Sequence, residues 1–127
     1  MRSTKISAAS RSSPTEYQIH AAFVEYVKTK HLADYLIHIP NEGRRSWREG
    51  KKQKALGLMK GASDLFLAVP TLRHHGMWHE IKSAKRKETP EQIEFGARMK
   101  LKGYEYKCSH SIDEAIANHE EYLRCSP

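Results

Sequence analysis

The sequence predicts an α/β fold in which one mixed β-sheet is flanked by helices. Short β-rich apolar runs alternate along the chain with segments whose apolar residues recur at helical spacing. Two central runs are joined by a short connection, which favours antiparallel pairing, and a helical segment then precedes the last run, which favours a parallel crossover. A chain of 127 residues is long enough to bury a core of its own. We therefore expect a single domain over residues 14–127.

The N-terminal part is predicted to be a disordered basic arm followed by a helix. Residues 1–13 are rich in Ser, carry scattered Arg and Lys, and show no periodicity. Thr15 can cap a helix, with Gln18 completing a capping box. Glu16 in the first turn has two interpretations: it complements the helix dipole, or it aims a carboxylate across the domain at the sheet. The buried stripe of this helix is expected to comprise Ile19, Phe23, Tyr26 and Val27.

A short strand and a strongly basic segment follow. The β-rich run at 35–39 is ended by Pro40, which predicts a strand that stops there. Seven Arg and Lys residues then fall between positions 44 and 60, and residues 47–56 are compatible with a helix. As a solvated loop this segment needs no partner, but the net charge of +7 also suits a surface that contacts phosphates. The candidate DNA-binding residues are Asn41, Arg44, Arg45, Trp47, Arg48, Lys51, Lys52 and Lys60.

The second half of the chain is predicted to contain three strands and two helices. The central strands cover residues 65–69 and 77–82, and a last strand covers 104–108. Thr89, Pro90 and Gln92 form the start of a capped helix. Its expected buried stripe is Ile93, Ala97 and Leu101. Ser111 caps the final helix, whose expected buried side is Ile112, Ala115, Ile116, His119 and Leu123.

Charged residues at the ends of the two central strands suggest chemistry. Strand side chains alternate, so Glu80 and Lys82 share one face while Ile81 points the other way. With Asp64 at the start of the neighbouring strand, two carboxylates suit Mg²⁺ or Mn²⁺, which activates water and stabilises charge on phosphate oxygens. Lys82 can neutralise the transition state. The alternative is that Glu-x-Lys on a strand is only a solvated face.

The order of these features resembles a known nuclease family. Residues 61–64, an apolar strand and residues 80–82 resemble the PD-(D/E)xK nuclease motif. The acid of the first helix, the turn at 41–44, the Lys-Gly at 60–61 and the helix start at 89–92 together resemble the VRR-NUC family, in its stand-alone, phage-type form. The resemblance extends from Thr15 to Leu123. The sequence departs from it at residues 62–63, which are Ala and Ser where the family usually has a hydrophobic residue and proline.

The resemblance implies a restriction-endonuclease-like core, with elements in the order αβββαβ and a C-terminal helix. It also implies site roles. Asp64, Glu80 and the Ile81 carbonyl would hold the metal, Lys82 would position the attacking water or stabilise the transition state, and Glu16 would bind metal directly or through water. Gln92 would lean into the site, in competition with its capping role.

The function implied by the resemblance is a Mg²⁺- or Mn²⁺-dependent endonuclease that acts on branched or duplex DNA. Structure selectivity, at junctions or by nicking, and a homodimer are implied by analogy with the family. Two alternatives remain: a DNA-binding module with the same fold but no activity, and a sequence-specific restriction-type nuclease. No small-molecule cofactor is expected.

Composition indicates the location. No apolar run approaches the ~20 residues that span a bilayer, and the N-terminus has no hydrophobic signal region. Cys108 and Cys125 are too few for a disulfide framework. We therefore expect a cytoplasmic protein with reduced thiols and no membrane partner.

Overall fold

The computed structural model describes residues 13–40 and 47–126. The predicted basic arm therefore lies outside the described residues except for Ser13, as does the predicted turn at 41–44. In chain order the elements are α1 (Glu16–Thr29), a 3₁₀ turn (Ala33–Tyr35), β1 (Leu36–His38), α2 (Trp47–Ala55), β2 (Leu65–Leu67), β3 (Met77–Ile81), α3 (Pro90–Leu101), β4 (Glu105–Ser109) and α4 (Ile112–Leu123).

The four strands form one mixed sheet in the order β1-β2-β3-β4. β1 pairs antiparallel with β2, and β2 pairs antiparallel with β3. β3 and β4 run parallel because α3 lies between them in the chain and returns it to the same end of the sheet. The predicted α/β class, with a mixed sheet flanked by helices, is confirmed. No helix within the described ranges has both the length and the apolar character needed to cross a membrane.

Helices α1 and α4 cover one face of the sheet. The α1 residues Ile19, Phe23 and Val27 are buried at helical spacing, as predicted, and they pack with Leu65 and Ile81 from the central strands. Tyr26, the fourth residue of the predicted stripe, is only partly buried. The predicted buried side of α4 is confirmed at Ala115 and His119, while its other predicted members are partly buried. Tyr122 is also buried, and its hydroxyl donates to the Val69 carbonyl at 2.7 Å.

Helix α3 covers the opposite face, but not with the stripe that the sequence predicted. Ile93 is 56 % exposed and Leu101 is 83 % exposed, and Ala97 between them is also exposed. Phe95 and Gly96 are buried instead. The Phe95 ring meets the Trp78 ring edge-on, 5.0 Å between centroids.

Close packing at one position explains this orientation of α3. A Cβ atom on Gly96 would lie 2.5 Å from the Tyr106 ring, so only glycine lets the helix approach β4 this closely. At about 100° per residue, the middle of the Ile93–Leu101 stripe lies about 150° around the helix from the point between Phe95 and Gly96. Turning Phe95 and Gly96 inward therefore directs Ile93 and Leu101 to the outside. The most apolar stripe of α3 is therefore not its buried stripe.

Two buried histidines lie in the core between α1, β3 and α4. The Phe23 ring contacts the rings of His79 and His119, at centroid distances of 5.0 and 5.5 Å. His79 Nε2 is 2.7 Å from Ser109 Oγ, but its Nδ1 and both ring nitrogens of His119 have no hydrogen-bond partner. Burial is the main cause that lowers the pKa of His79 to about 3, and the neighbouring basic side chains, His119 first, lower it further. Burial also lowers the pKa of His119.

Acid is expected to destabilise the fold through these histidines. Below the ordinary pKa of about 6.5, unfolded His79 binds a proton and folded His79 does not, so the free energy of unfolding falls as the pH falls towards about 3. His79 alone lowers it by about 2 kcal/mol between pH 7 and pH 5. Urea unfolding at both pH values measures the loss.

The matched variants are His79→Leu, which removes the buried titrating group, and His31→Asn at an exposed position. His31 has φ 61°, a conformation that asparagine tolerates. His79→Leu should reduce the pH dependence and His31→Asn should leave it unchanged. The same pH dependence in all three proteins would contradict the account.

Candidate active site

One cleft of about 360 Å³ contains the acids, the lysine and the glutamine that the sequence predicted. These residues come from the start of α1, the segment just before β2, the end of β3 and the start of α3. The predicted site residues that line the cleft are Glu16, Lys60, Asp64, Glu80, Lys82 and Gln92. The other lining residues are Gly61, Ala62, Arg86, Thr89 and Glu91.

Strand register places the two central carboxylates side by side. Leu65 of β2 is opposite His79 of β3, so the next pair along the antiparallel ladder is Asp64 and Glu80, on the same face. The Ile81 side chain points the other way into the core, as predicted, and its backbone N–H donates to Asp64 Oδ2 at 3.1 Å. A metal-binding role for the Ile81 carbonyl stays a prediction.

The acid pair is almost completely removed from water. Asp64, Glu80 and Lys82 are 6 %, 2 % and 4 % exposed. Burial raises the pKa of Glu80 well above its ordinary range, and the neighbouring charge of Asp64 raises it further, while Lys82 acts in the opposite sense. Lys82 Nζ is 3.9 Å from Glu80 Oε2, and Glu80 Oε1 is buried without a hydrogen-bond partner. A positively charged group at this point would stabilise the ionised Glu80 carboxylate against burial and repulsion, and it would give Oε1 a partner.

Gln92 performs both of the roles that competed for it. Its side-chain Oε1 accepts from the Thr89 backbone N–H at 2.8 Å, and its backbone N–H donates to Thr89 Oγ1 at 3.2 Å, which completes the capping box. Its Nε2 donates to Glu80 Oε2 at 3.0 Å. The amide has two ends, so the cap and the contact with the acid do not exclude each other.

Glu16 likewise combines its two interpretations. It is the first residue of α1, where a negative charge complements the helix dipole, and the predicted capping box of Thr15 and Gln18 is present. It also lines the cleft, and its charge contributes to the raised pKa of Glu80.

The predicted DNA-binding residues are described only in part. Lys51 and Lys52 are exposed on α2, and Lys60 lines the cleft with its Nζ 3.7 Å from Glu91 Oε2. Trp47 and Arg48 lie at the start of α2. Asn41, Arg44 and Arg45 lie outside the described residues.

Sequence reasoning missed Arg86, which also lines the cleft. It belongs to the segment that joins β3 to α3, where Lys85, Arg86 and Lys87 are consecutive and exposed. The sequence signal was a second run of positive charge shortly after Lys82. The segment at 44–60 carries more basic residues, and it alone was assigned to DNA binding.

The donor set fits a hard divalent cation with an incomplete protein shell. No cluster of three or more His, Cys, Asp or Glu side chains suited to a metal occurs in residues 13–40 and 47–126. Mg²⁺ typically takes one or two carboxylates and completes its shell with waters and substrate phosphates. Asp64 and Glu80 provide the two carboxylates, and Oε1 of Glu80 has no hydrogen-bond partner. The cleft has room for waters and for a substrate phosphate.

The mixed four-stranded sheet and its flanking helices are compatible with the predicted restriction-endonuclease-like α/β core. A solved structure described as a VRR_NUC domain protein is similar to the chain with a TM-score of 0.81 and 24 % sequence identity. The similarity covers 91 % of this chain and 93 % of that one. No protein-family model matches the sequence, and no curated protein is significantly similar to it. The chain therefore has the fold of a VRR_NUC domain protein.

The shape of the cleft depends on Gly61. A Cβ atom there would lie 2.4 Å from the Glu91 carbonyl oxygen, and the residue has φ +89°. Gly57 has a similar φ of +98° with nothing within 4 Å of the added atom. Gly57→Ala should cost about 1 kcal/mol of unfolding free energy through backbone strain alone. Gly61→Ala should cost about 1–3 kcal/mol more, because the loop and the start of α3 must separate.

Urea unfolding of both variants measures this difference. Equal losses of stability would show that the loop carrying Gly61 does not pack against α3 as described.

Proposed function

We propose that this protein is a divalent-metal-dependent deoxyribonuclease of the VRR-NUC type. The observation that carries the proposal is the buried pair of Asp64 and Glu80, held beside Lys82 in a cleft lined also by other cations. A buried acid pair is costly to keep in a protein that binds nucleic acid, because it repels phosphate. Binding a metal gives this arrangement a use. The similarity to a VRR_NUC domain protein supports the same proposal.

The side chains of the cleft have distinct roles in this mechanism. Asp64 and Glu80 would hold Mg²⁺ or Mn²⁺, with Glu16 as a direct or water-mediated third acid. The bound cation would supply activation of water and stabilisation of charge on the phosphate. Lys82 orients the attacking water or neutralises charge that develops on the phosphate oxygens. Gln92 holds Glu80 in position through its Nε2, and the Ile81 N–H does the same for Asp64.

The substrate is proposed to be DNA, bound through the basic segment at 44–60. The enzyme is proposed to select DNA by its structure, cutting junctions or nicking duplexes. The runner-up is an inactive DNA-binding module with the same fold. A cytoplasmic location suits the free thiols of Cys108 and Cys125.

Cleavage assays with Asp64→Asn and Lys82→Ala test the catalytic assignment. With Mg²⁺ or Mn²⁺, wild type should nick duplex DNA or cut a four-way junction, and chelation should abolish the reaction. Each variant should lose at least about 100-fold in rate, because one removes a metal ligand and the other a charge at the reacting phosphate. Glu25→Gln is the control, since it removes an exposed negative charge from the outer part of α1.

Wild-type rates in both cleft variants would show that the assigned site is wrong. DNA binding by wild type without cleavage under any metal would favour the inactive module.

A homodimer is proposed through the exposed face of α3. Ile93, Ala97 and Leu101 form an apolar stripe that α3 leaves uncovered in the described chain. A two-fold pairing with antiparallel α3 helices would bury this stripe and bring the acidic start of each helix to the basic end of the other. The acidic residues are Glu91 and Glu94, and the basic residues are Arg98, Lys100 and Lys102. Two active sites per assembly suit two cuts in a junction.

Leu101→Glu tests the dimer. A charge placed within a buried apolar contact is strongly unfavourable, so sedimentation should give a dimer for wild type and a monomer for the variant. Leu72→Glu is the control, because Leu72 is 76 % exposed and lies outside α3. A monomeric wild type, or a variant that sediments as wild type does, would contradict this interface.

A further inference from the structure

A second basic segment borders the cleft, in addition to the predicted DNA-binding segment that precedes β2. This loop, residues 83–89, joins β3 to α3 and begins directly after Lys82. Lys85, Arg86 and Lys87 are all exposed, and Arg86 lines the cleft. Lys60 precedes β2 and the loop follows β3. Because β2 and β3 are antiparallel, both border the sheet end that carries the acid pair.

The loop is held in place at both ends. At its start, the Lys82 N–H donates to the Ser109 carbonyl at 2.9 Å, and the Arg86 N–H closes a turn onto the Ser83 carbonyl at 3.1 Å. At its end, the Tyr106 hydroxyl donates to Glu88 Oε2 at 2.5 Å. A cation on an anchored loop loses less conformational freedom when it binds a ligand.

The same hydrogen bond holds the one acid of the loop against Tyr106, and this acid is not among the residues that line the cleft. Glu88 is the single acid among residues 83–89, and its carboxylate is engaged by the buried Tyr106. The exposed part of the loop therefore presents positive charge.

Arg86 differs from the other cations that line the cleft. Lys82 is paired with Glu80 and Lys60 with Glu91, at 3.9 and 3.7 Å. Arg86 has no ion pair within the described ranges, so its guanidinium is available to an anion. Its planar group can bind two oxygens of a phosphate at once.

We propose that this basic loop is a second phosphate-binding element of the site. Lys85 and Lys87 bind backbone phosphates of the nucleic-acid strand, and Arg86 binds the phosphate nearest the acid pair and positions the strand there. The contacts are with the backbone, so they are independent of base sequence. The inference rests on the proposed nuclease function, because it specifies how the substrate of that site is held.

Binding of a fluorescein-labelled DNA duplex tests the loop without any catalysis. Affinity is measured with chelator present over a range of salt concentrations for wild type and Lys85→Ala/Lys87→Ala. Each lost phosphate contact should reduce the slope of log affinity against log salt by about 0.9, so the double variant should lose about 2. The control is Lys28→Ala/Lys30→Ala, which makes the same charge change about 18 Å from Glu16 along the α1 axis. Its slope should match wild type.

Single-turnover cleavage tests Arg86. Arg86→Ala should lower the rate at saturating enzyme about 10-fold or more, because the phosphate is no longer positioned. Arg86→Lys should recover part of that loss, since it restores the charge but not the two-oxygen contact. Thermal melting confirms that each variant is folded.

The two arms separate failure of this inference from failure of the proposed function. A loop variant with the wild-type salt slope, or Arg86→Ala that cleaves at the wild-type rate, overturns the phosphate-binding role while cleavage by wild type stands. A wild-type protein that never cleaves overturns the nuclease proposal and the role of Arg86 together. A reduced slope in the loop variant alone still supports phosphate binding by Lys85 and Lys87.

Discussion

The burial of Asp64 and Glu80 next to each other is the constraint on which the rest of the site depends. Two carboxylates in a poorly hydrated position repel each other, and the raised pKa of Glu80 expresses that cost. The fold compensates with an N–H from Ile81, an amide from Gln92 and the ammonium of Lys82. A bound cation therefore stabilises these buried carboxylates more than it would stabilise the same two acids in water.

Two helix N-termini contribute to the same compensation. α1 and α3 both begin with a Thr-x-x-Gln capping box, and both helix starts line the cleft. The positive end of each helix dipole therefore lies near the acid pair, where it favours negative charge. In α3 one glutamine serves both purposes, because Gln92 uses its oxygen for the cap and its nitrogen for Glu80. The sequence elements that start these helices also shape the site.

The sequence was sufficient where a local rule decided the outcome. Strand alternation placed Glu80 and Ile81 on opposite faces, and capping chemistry located the starts of α1 and α3. It was insufficient where tertiary packing decided. The close approach of Gly96 to Tyr106 set the rotation of α3, so Ile93 and Leu101 are exposed although periodicity predicted their burial. Arg86 reaches the cleft because of the path of the loop that carries it, and no periodicity in the sequence specifies that path.

Anomalous scattering from crystals grown with Mn²⁺ tests the central claim most directly, because it locates the cation without reference to activity. We expect a peak in the cleft, beside the carboxylates of Asp64 and Glu80. A peak at the histidines of the core or elsewhere, or no peak at saturating Mn²⁺, would contradict it.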